Sequence, residues 1–454
     1  MPARWRRRSA RIPTRSWPSS DIRPAGSRKC AGLAASADAG HGLAARLCLI
    51  DWDGSCHMAT TLQKPTAHEL LPGIRVVDAD THVSEWYDLW TSRAPGKYRD
   101  RVPQVRDIDG RWDWIIDGQT LNREGASSAI RKDGSKTVGM AFRDLQLADV
   151  HPGAYDLTSR IAFMDREGIA AQIAYPNLLG FGGQKSMMID EELRNVSMTI
   201  FNDAMAEMQA DSGNRIYPMT MVPWWDVKLA VKEAERCAAM GLRGINMNSD
   251  PHLHGLPHLG DPHWYPLWEA CSALGLPVNF HIGASDESMT WFGAGLWPGH
   301  PDEVKLAYGS LMLFVGNMRV LANILLTRVL ERFPALKIVS VESGAGWVPF
   351  FLEALEYQMR EAAMDYRDSP KDVFRRQIYI CSWFERDDIV HTARKIGIDN
   401  LMFETDFPHP TCLYPDSFHY MEGAIEAMTP QERGKIFGGN AQRIYNLDLS
   451  RAPF

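Results

Sequence analysis

Three absences narrow the function of this sequence before any motif is considered. The seven cysteines are scattered and form no CxxC pair, which is typical of a protein from a reducing compartment, so we expect a cytoplasmic protein. No apolar run approaches the roughly 20 residues needed to cross a bilayer, so no membrane-spanning segment is expected. The formal net charge is −7 and the body of the chain has no long basic face, which argues against a nucleic-acid partner. The expected partner is therefore a small molecule.

The start of the chain differs in composition from the rest. Residues 1–57 are rich in Arg, Ser, Ala and Pro and show no sustained hydrophobic period, so we expect disorder there. This start also resembles an organelle transit peptide. We favour a third interpretation, in which Met58 is the natural start and the upstream residues are a gene-prediction extension. Residues 58–454 would then form the folded domain.

Beyond residue 72, short apolar runs alternate with segments of helical spacing. This order predicts a TIM-like (β/α)8 barrel. The predicted strands are 75–83, 171–176, 215–222, 242–247, 277–282, 337–342, 377–382 and 400–405. An open doubly wound sheet is the alternative, but no GxGxxG turn follows the first strand. Insertions are expected after strand 1, at 102–154, and after strand 5, at 285–301.

The motif DADTHV places polar residues at every second position of the first predicted strand. Residues two apart on a strand face the same side, so Asp78, Asp80 and His82 should all point into the barrel. Asp80 and His82 would lie nearest its mouth. Carboxylates inside a barrel are costly unless they are compensated, and a bound cation would compensate them. Alternatively, these acids cap neighbouring loops.

Two further candidate ligands end other predicted strands. His281 ends the fifth strand and Asp406 follows the eighth, so both should lie at the rim that carries active sites in barrels. A lone histidine at the end of an apolar run is usually a core residue, but four candidate ligands at one rim favour a metal. We therefore predict one divalent ion, Zn²⁺ before Mn²⁺ or Fe²⁺, bound by Asp80, His82, His281 and Asp406.

The sequence resembles the amidohydrolase-related family, in the branch of the aminocarboxymuconate-semialdehyde, resorcylate and hydroxybenzoate decarboxylases. The resemblance runs from about residue 75 to residue 447 and depends on several motifs in a fixed order. They are DADTHV, DREGIAAQIAYPN, GLRGINMN, DPHWYPLWEACSALGLPVNFHIG, RFPALKIVSVESGAGWVPFFLEALE, LMFETDFPHP and IFGGNAQRIYNL. The resemblance implies a TIM-like barrel with one divalent metal at the four ligands already named, in a protein that forms a homodimer.

The resemblance also implies a reaction. It predicts a metal-dependent carboxy-lyase that decarboxylates a small aromatic or unsaturated carboxylic acid without oxidation. Where these decarboxylases carry a His after the sixth strand, this chain has Glu342, which could act as a base, bind substrate or orient a ligand histidine. The alternative is a hydrolase of an ester, lactone or amide, in which Asp406 takes a proton from water. The predicted catalytic residues are Asp406, Glu342 and His281.

Four other residues are candidate substrate contacts. Asn177 and Asn246 lie at the ends of the second and fourth predicted strands, where amide groups could bind a carboxylate. Trp86 and Trp383 lie in or near rim loops and could form walls for a planar substrate. Loop capping for the two amides and simple packing for the two aromatic rings are the alternatives. A barrel kept only as a scaffold is the non-enzymatic alternative, and the intact set of metal ligands argues against it.

Overall fold

The computed structural model describes residues 47–50, 56–59, 65–122, 127–290, 299–450 and 452. The chain divides into two units, Met1–Gln63 and Lys64–Phe454. In the first unit, the strands Leu47–Ile50 and Cys56–Ala59 pair antiparallel, which was not predicted. The disorder expected for residues 1–57 otherwise lies outside the described residues, and it stays a prediction together with the start at Met58.

Eight parallel strands of the second unit form a closed barrel, as predicted. They are Val76–His82, Ile169–Tyr175, Ile216–Pro218 continued by Thr220–Met221, Ile245–Asn246, Val278–His281, Ile338–Val341, Ile378–Ser382 and Leu401–Phe403. Neighbouring strands pair in chain order. The ring closes where Thr81 pairs with Phe407 and the Asp406 N–H donates to the Asp80 carbonyl at 3.0 Å. Every barrel strand overlaps a segment predicted from the sequence.

Helices follow the strands, as the repeating pattern predicts. The α-helices are Ala67–Leu70, Leu157–Glu167, Glu191–Asp211, Val227–Ala239, Tyr265–Leu274, Asp286–Thr290, Asp302–Leu326, Val329–Arg332, Val348–Glu361, Pro370–Gln377, Ile389–Ile396, Ser417–Tyr420, Glu422–Ala427, Pro430–Gly434 and Asn440–Ile444. Several begin at a side-chain cap, such as Asp190, whose carboxylate accepts from the Leu193 N–H at 3.0 Å. The helix Leu157–Glu167 ends at Gly168, whose φ of 78° suits glycine.

The two predicted insertions are partly described. After the first barrel strand, Gln104–Ile108, Arg111–Ile116 and Gln119–Asn122 form an antiparallel sheet with turns at Asp109-Gly110 and Asp117-Gly118. Short 3-10 helices at Gly139–Asp144 and Pro152–Ala154 complete this insertion. The insertion after the fifth strand begins with the helix Asp286–Thr290, and its residues 291–298 lie outside the described residues.

The helix Asp302–Leu326 is long and rich in apolar residues. It has 25 residues, and its most apolar 18-residue window has a mean hydropathy of 1.5. By length and composition this helix could cross a membrane, although no such segment was expected. Glycine, serine and asparagine interrupt its apolar residues, so none of its uninterrupted apolar runs approaches the roughly 20 residues needed to cross a bilayer. Only 33% of that window is buried within the described chain.

Two layers of apolar packing hold the barrel. Ile338 belongs to a large cluster shared by the strands and helices, whereas the adjacent Val339 belongs to a second cluster. Because successive residues on a strand face opposite sides, the second cluster fills the interior of the barrel. The C-terminal Tyr445 also belongs to it, and its hydroxyl donates to Asn279 Oδ1 at 2.7 Å. Asn279 precedes His281 by two residues on the same strand, so this packing supports the site directly.

Candidate metal centre

The first barrel strand does not keep strict alternation. Its register against the second strand shifts after Asp78. The Asp78 carboxylate accepts hydrogen bonds from the Thr405 N–H at 2.8 Å, the Thr405 hydroxyl at 2.6 Å and the Gln172 amide at 3.1 Å. Burial raises the pKa of Asp78 to about 7. The expectation that Asp78 points the same way as Asp80 and His82 is therefore wrong, because the register shift separates it from them.

The structure brings the four predicted metal ligands together. His82 Nε2 lies 3.1 Å from His281 Nε2, and it lies 3.6 Å from both Asp80 Oδ1 and Asp406 Oδ1. His281 Nε2 is 3.5 Å from Asp80 Oδ2. All four side chains are fully buried. Residues more than 300 positions apart thus converge at one end of the barrel, as barrel closure between the first and eighth strands requires.

Several acceptor atoms of this cluster point at one another. His281 Nδ1 lies 2.7 Å from the Ile282 carbonyl oxygen, which only accepts, so this nitrogen carries the hydrogen and Nε2 is bare. Among the described residues, both carboxylate oxygens of Asp80 and Oδ1 of Asp406 have no hydrogen-bond partner. Buried acceptors without a partner are rare and costly. A divalent cation would satisfy all of these atoms together, so the residues present fit a divalent ion.

The pKa shifts of the clustered side chains also favour a divalent ion at this position. Burial raises the pKa of Asp80 and Glu342, and the neighbouring charges of Asp406 and Asp80 raise that of Glu342 further, well above the usual range. Burial also lowers the pKa of His82 well below its usual range, so this ring is neutral at physiological pH. Crowded carboxylates and neutral imidazoles are the ligands that divalent transition metals prefer. The candidate ligand atoms form two overlapping groups, and within each group all atoms lie within 4.8 Å of one another. The first group is Asp80, His82, His281 and Glu342, and the second is His82, Glu342, Asp406 and His409.

Glu342 and Asp406 share one hydroxyl group. The Thr411 hydroxyl contacts Asp406 Oδ2 and lies 3.1 Å from Glu342 Oε1. A hydroxyl has one hydrogen to donate, so a proton on one of the two carboxylates would complete this chain of hydrogen bonds. Both carboxylate residues have left-handed backbone, with φ of 54° and 58°. Such strain in non-glycine residues is typical of functional sites.

Sequence reasoning missed a further buried carboxylate, Glu404. Its Oε2 accepts from the Glu342 N–H at 3.3 Å, and its Oε1 has no partner among the described residues. Burial, together with the charges of Asp80 and Asp406, raises the pKa of Glu404 well above its usual range. The signal in the sequence was its position two residues before Asp406, which places both acids on the same side of an extended segment.

His409 was also missed. Its Nδ1 lies 3.1 Å from Asp406 Oδ1, and its ring stacks on His82 with centroids 3.5 Å apart. Its Nε2 lies 2.7 Å from the Asn177 side-chain oxygen. The motif DFPHP, which places His409 three residues after Asp406, was the available signal.

A cavity of about 270 Å³ adjoins the metal centre. Its polar end beside the metal centre is formed by Asn177, Glu342, His409 and Thr411. The other polar residues that line the cavity are Asn122, Ser127, Arg143, Gln184, Lys185 and Ser310. Most of the other walls are apolar. They include Phe142, Phe181, Ile282, Leu306, Leu313 and Phe314. The cavity is large enough for a single-ring molecule, and its volume lies just below the roughly 300–1,000 Å³ that is typical of small-molecule sites.

The four predicted substrate contacts differ in their position relative to the cavity. Asn177 lines the cavity. Asn246 does not, but its amide donates to the carbonyl of Phe181, a cavity wall. Trp383 is buried behind the cavity, where its indole N–H donates to the Thr411 carbonyl at 3.1 Å. Trp86 is not among the described cavity-lining residues either, and packs beneath a guanidinium group.

Comparison with known proteins identifies the family. Residues 77–447 match the amidohydrolase family, which covers most of the chain. The chain belongs to the amidohydrolase family. This membership confirms the resemblance inferred from the sequence motifs, and it agrees with the closed barrel and with a cluster of metal-ligating side chains at one end of it.

Characterised relatives of this amidohydrolase are decarboxylases. It is 25% identical over 300 residues to a gamma-resorcylate decarboxylase of Polaromonas sp., covering 64% of this chain and 87% of the relative. It is also 25% identical over 319 residues to a 2-amino-3-carboxymuconate-6-semialdehyde decarboxylase of Dictyostelium discoideum, covering 67% and 80%.

Solved structures share the fold. An amidohydrolase from Mycobacterium avium subsp. paratuberculosis superposes with a TM-score of 0.66 at 24% identity, covering 82% of this chain and 99% of the other. A 5-carboxyvanillate decarboxylase from Novosphingobium aromaticivorans, which contains manganese, superposes with a TM-score of 0.57 at 19% identity, covering 85% and 99%. These likenesses establish the barrel of this amidohydrolase independently of its sequence motifs.

Proposed function

We propose that this amidohydrolase is a metal-dependent carboxy-lyase that decarboxylates a small aromatic acid without oxidation. The observation that carries the proposal is the position of the metal centre beside a largely apolar cavity of about 270 Å³. An aromatic ring fits such walls, and the cation would hold an anionic group at the polar end. The decarboxylases among its relatives support the same reaction.

The metal ion and Glu342 have separate roles in the proposed reaction. When bound, the divalent ion supplies positive charge that holds and stabilises anionic oxygens of the substrate. Glu342 faces the cavity and burial raises its pKa, and in the proposed mechanism its carboxyl group carries the proton that is transferred. It donates this proton to the ring carbon that bears the carboxylate. The bond to the carboxyl carbon then breaks, its electron pair returns to the ring, carbon dioxide leaves, and Glu342 regains a proton from water.

The proposed ion is Mn²⁺, with Zn²⁺, which the sequence favoured, and Fe²⁺ as the alternatives. Two of the proposed ligands, Asp80 and Asp406, are carboxylates, and carboxylate ligands suit Mn²⁺. Two structurally similar decarboxylases contain bound manganese. Metal analysis of the native protein after dialysis distinguishes the three ions. A protein that retains no stoichiometric divalent ion would contradict the proposal.

The test of the reaction is a substrate panel on metal-loaded protein. Hydroxybenzoates, vanillate-type acids and activated esters are supplied in deuterated water, while carbon dioxide and acid release are both followed. We expect carbon dioxide release from a hydroxybenzoate-type acid, with deuterium at the vacated ring carbon. Hydrolysis is the second candidate, favoured by Asp406 Oδ1, which has no hydrogen-bond partner among the described residues and could take a proton from water. Turnover of esters or lactones alone would establish hydrolysis and overturn the carboxy-lyase proposal.

We also propose a homodimer in which a second copy covers the apolar face of the helix Asp302–Leu326. Leu311 on this helix is 58% exposed, and the nearby helix Val348–Glu361 presents Phe350 at 68%. Contiguous exposed apolar side chains are typical of interfaces. Sedimentation should show a dimer that Leu311→Lys dissociates. A monomeric native protein, or one that sediments with lipid vesicles through this helix, would contradict the dimer.

A cytoplasmic location is proposed on the chemistry of the cysteines. Cys237, Cys271, Cys381 and Cys412 are free and buried in the described part of the chain. Buried thiols without disulfides suit a reducing compartment. Fractionation of cells that express the native protein tests this location, and recovery from an oxidising compartment would contradict it.

A further inference from the structure

We propose that His409 is a fifth protein ligand of the divalent ion, held in its ligating form by Asn177. This inference depends on the proposed metal centre, but not on the reaction that the centre performs. It extends the set of four ligands expected from the sequence, Asp80, His82, His281 and Asp406. The argument proceeds from the hydrogen bonds of Asn177 to the ring of His409, and then to the atoms around its Nδ1.

The side-chain amide of Asn177 has a fixed orientation. Its Nδ2 donates to the Val83 carbonyl oxygen at 2.8 Å, which places Oδ1 toward His409. Two backbone N–H groups, of Asn177 and Leu178, also donate to Glu85 Oε1 at 2.9 Å, so the residue is anchored at both its backbone and its side chain. The amide is thus oriented by its own hydrogen bond on an anchored backbone, and it presents one defined acceptor to its neighbour.

That acceptor determines which nitrogen of His409 carries a hydrogen. His409 Nε2 lies 2.7 Å from Asn177 Oδ1, and an amide oxygen only accepts, so Nε2 is the donor. In the neutral ring, Nδ1 is then a bare acceptor. Metal-ligating histidines commonly donate their other ring nitrogen to a carbonyl or carboxylate in the same way.

The bare nitrogen faces another acceptor. His409 Nδ1 lies 3.1 Å from Asp406 Oδ1, an oxygen without a hydrogen-bond partner among the described residues. His82, Glu342, Asp406 and His409 each offer one ligand atom, and these four atoms lie within 4.8 Å of one another. One proton satisfies only two acceptors, whereas a single cation accepts lone pairs from several ligands at once. A metal at this point therefore explains why these acceptors converge.

His409 is also held rigidly enough to act as a ligand. Its backbone N–H donates to the Asp406 carbonyl at 2.8 Å, and its ring stacks on that of His82. Its side chain is 11% exposed and lines the cavity. The fifth ligand thus lies on the face of the metal centre that substrate approaches. This position gives the cavity a ligand that borders both the ion and the substrate.

Metal affinity of the apo protein tests the proposal without substrate. His409→Phe keeps a ring to stack on His82 but removes the nitrogen, and it should weaken Mn²⁺ binding by about 100-fold or more. Asn177→Leu removes the orienting oxygen and should weaken binding by roughly 10-fold. His419→Phe alters an exposed histidine on the helix Ser417–Tyr420 and is the control, with unchanged affinity expected. Wild-type affinity in the His409→Phe variant would overturn the proposal.

A second measurement uses only the native protein. In the Mn²⁺-loaded wild type, pulsed electron paramagnetic resonance counts the imidazole nitrogens coupled to the ion. Three coupled imidazoles are expected, from His82, His281 and His409, and two would overturn the proposal. If these results hold while no acid in the panel is decarboxylated, the fifth ligand stands and the proposed reaction fails. A native protein that binds no divalent ion would overturn both.

Discussion

The substitution Glu342→Gln tests the proposed proton donor. The ligand atoms of Glu342 lie within 4.8 Å of those of Asp80 and, in the second group, of Asp406. Two unit charges 4.8 Å apart at an effective dielectric constant of about 20 repel by about 3.5 kcal/mol for each pair. Glu342 therefore keeps its proton in the apo protein near neutral pH. A neutral glutamine of the same shape should change the free energy of unfolding of the apo protein by less than about 1 kcal/mol.

Catalysis should respond differently from stability. Without an acidic proton at this position, turnover should fall by about 100-fold or more. Metal affinity should change by less than about 10-fold, because the five proposed ligands are intact. Urea unfolding of the apo protein, Mn²⁺ titration and decarboxylation rates measure the three quantities. A gain of several kcal/mol in the apo variant would show that Glu342 is ionised, and unchanged turnover would remove it from the mechanism.

The matched control is Glu233→Gln. Glu233 is also largely buried, but its carboxylate accepts from Arg236 Nη2 and from the Asn202 amide, both at 2.7 Å. It does not line the described cavity. This variant should lose stability, since the guanidinium of Arg236 loses one of its two carboxylate partners, Glu233 and Asp203, while turnover and metal affinity stay at wild-type values. Opposite patterns in the two variants would separate a proton donor from a structural carboxylate.

Three further predictions follow from the same geometry. His281→Ala should abolish metal retention and activity while circular dichroism shows a folded barrel; retained metal would contradict the ligand role. Metal affinity should fall as pH falls, because burial raises the pKa of Asp80 and protons then compete with the metal ion for its carboxylate. Equilibrium dialysis measures this affinity, and equal values at pH 8 and pH 5 would contradict the prediction. Thr405→Val removes a hydroxyl donor to Asp78 and should lower the free energy of unfolding by about 1.5–3 kcal/mol, measured in urea at alkaline pH, where Asp78 is ionised. The control Thr81→Val removes a hydroxyl that donates to a neutral carbonyl and should lower it by only about 0.5–1.5 kcal/mol. Equal losses in the two variants would contradict an ionised Asp78.

The barrel was predictable because its signals are local. Each strand is a short buried apolar run, and strand ends in a barrel meet at one rim, so Asp80, His82, His281 and Asp406 could be grouped before their distances were known. The error at Asp78 has the same origin. The alternation of residues predicts which side of a strand each side chain faces only while the strand register is regular. The register shift after Asp78 depends on pairing with a strand about 90 residues later in the chain.

The residues that sequence reasoning missed depend on tertiary structure. His409 and Glu404 lie within three residues of Asp406, but their roles come from contacts with Asn177 and Glu342 in other parts of the chain. The high mean hydropathy of the helix Asp302–Leu326 was not recognised in the sequence, for a different reason. Its hydrophobicity is spread along a length of helix rather than concentrated in one uninterrupted run, so only an average over a window reveals it.

The hydrogen bond from Tyr445 to Asn279 has a consequence for how the metal centre depends on the rest of the chain. Asn279 lies on the strand that carries His281, whereas Tyr445 follows the last barrel strand, 166 positions later. The geometry of the centre therefore depends on a segment that contains none of its proposed ligands. Damage to that segment would disturb ion binding although every ligand is intact.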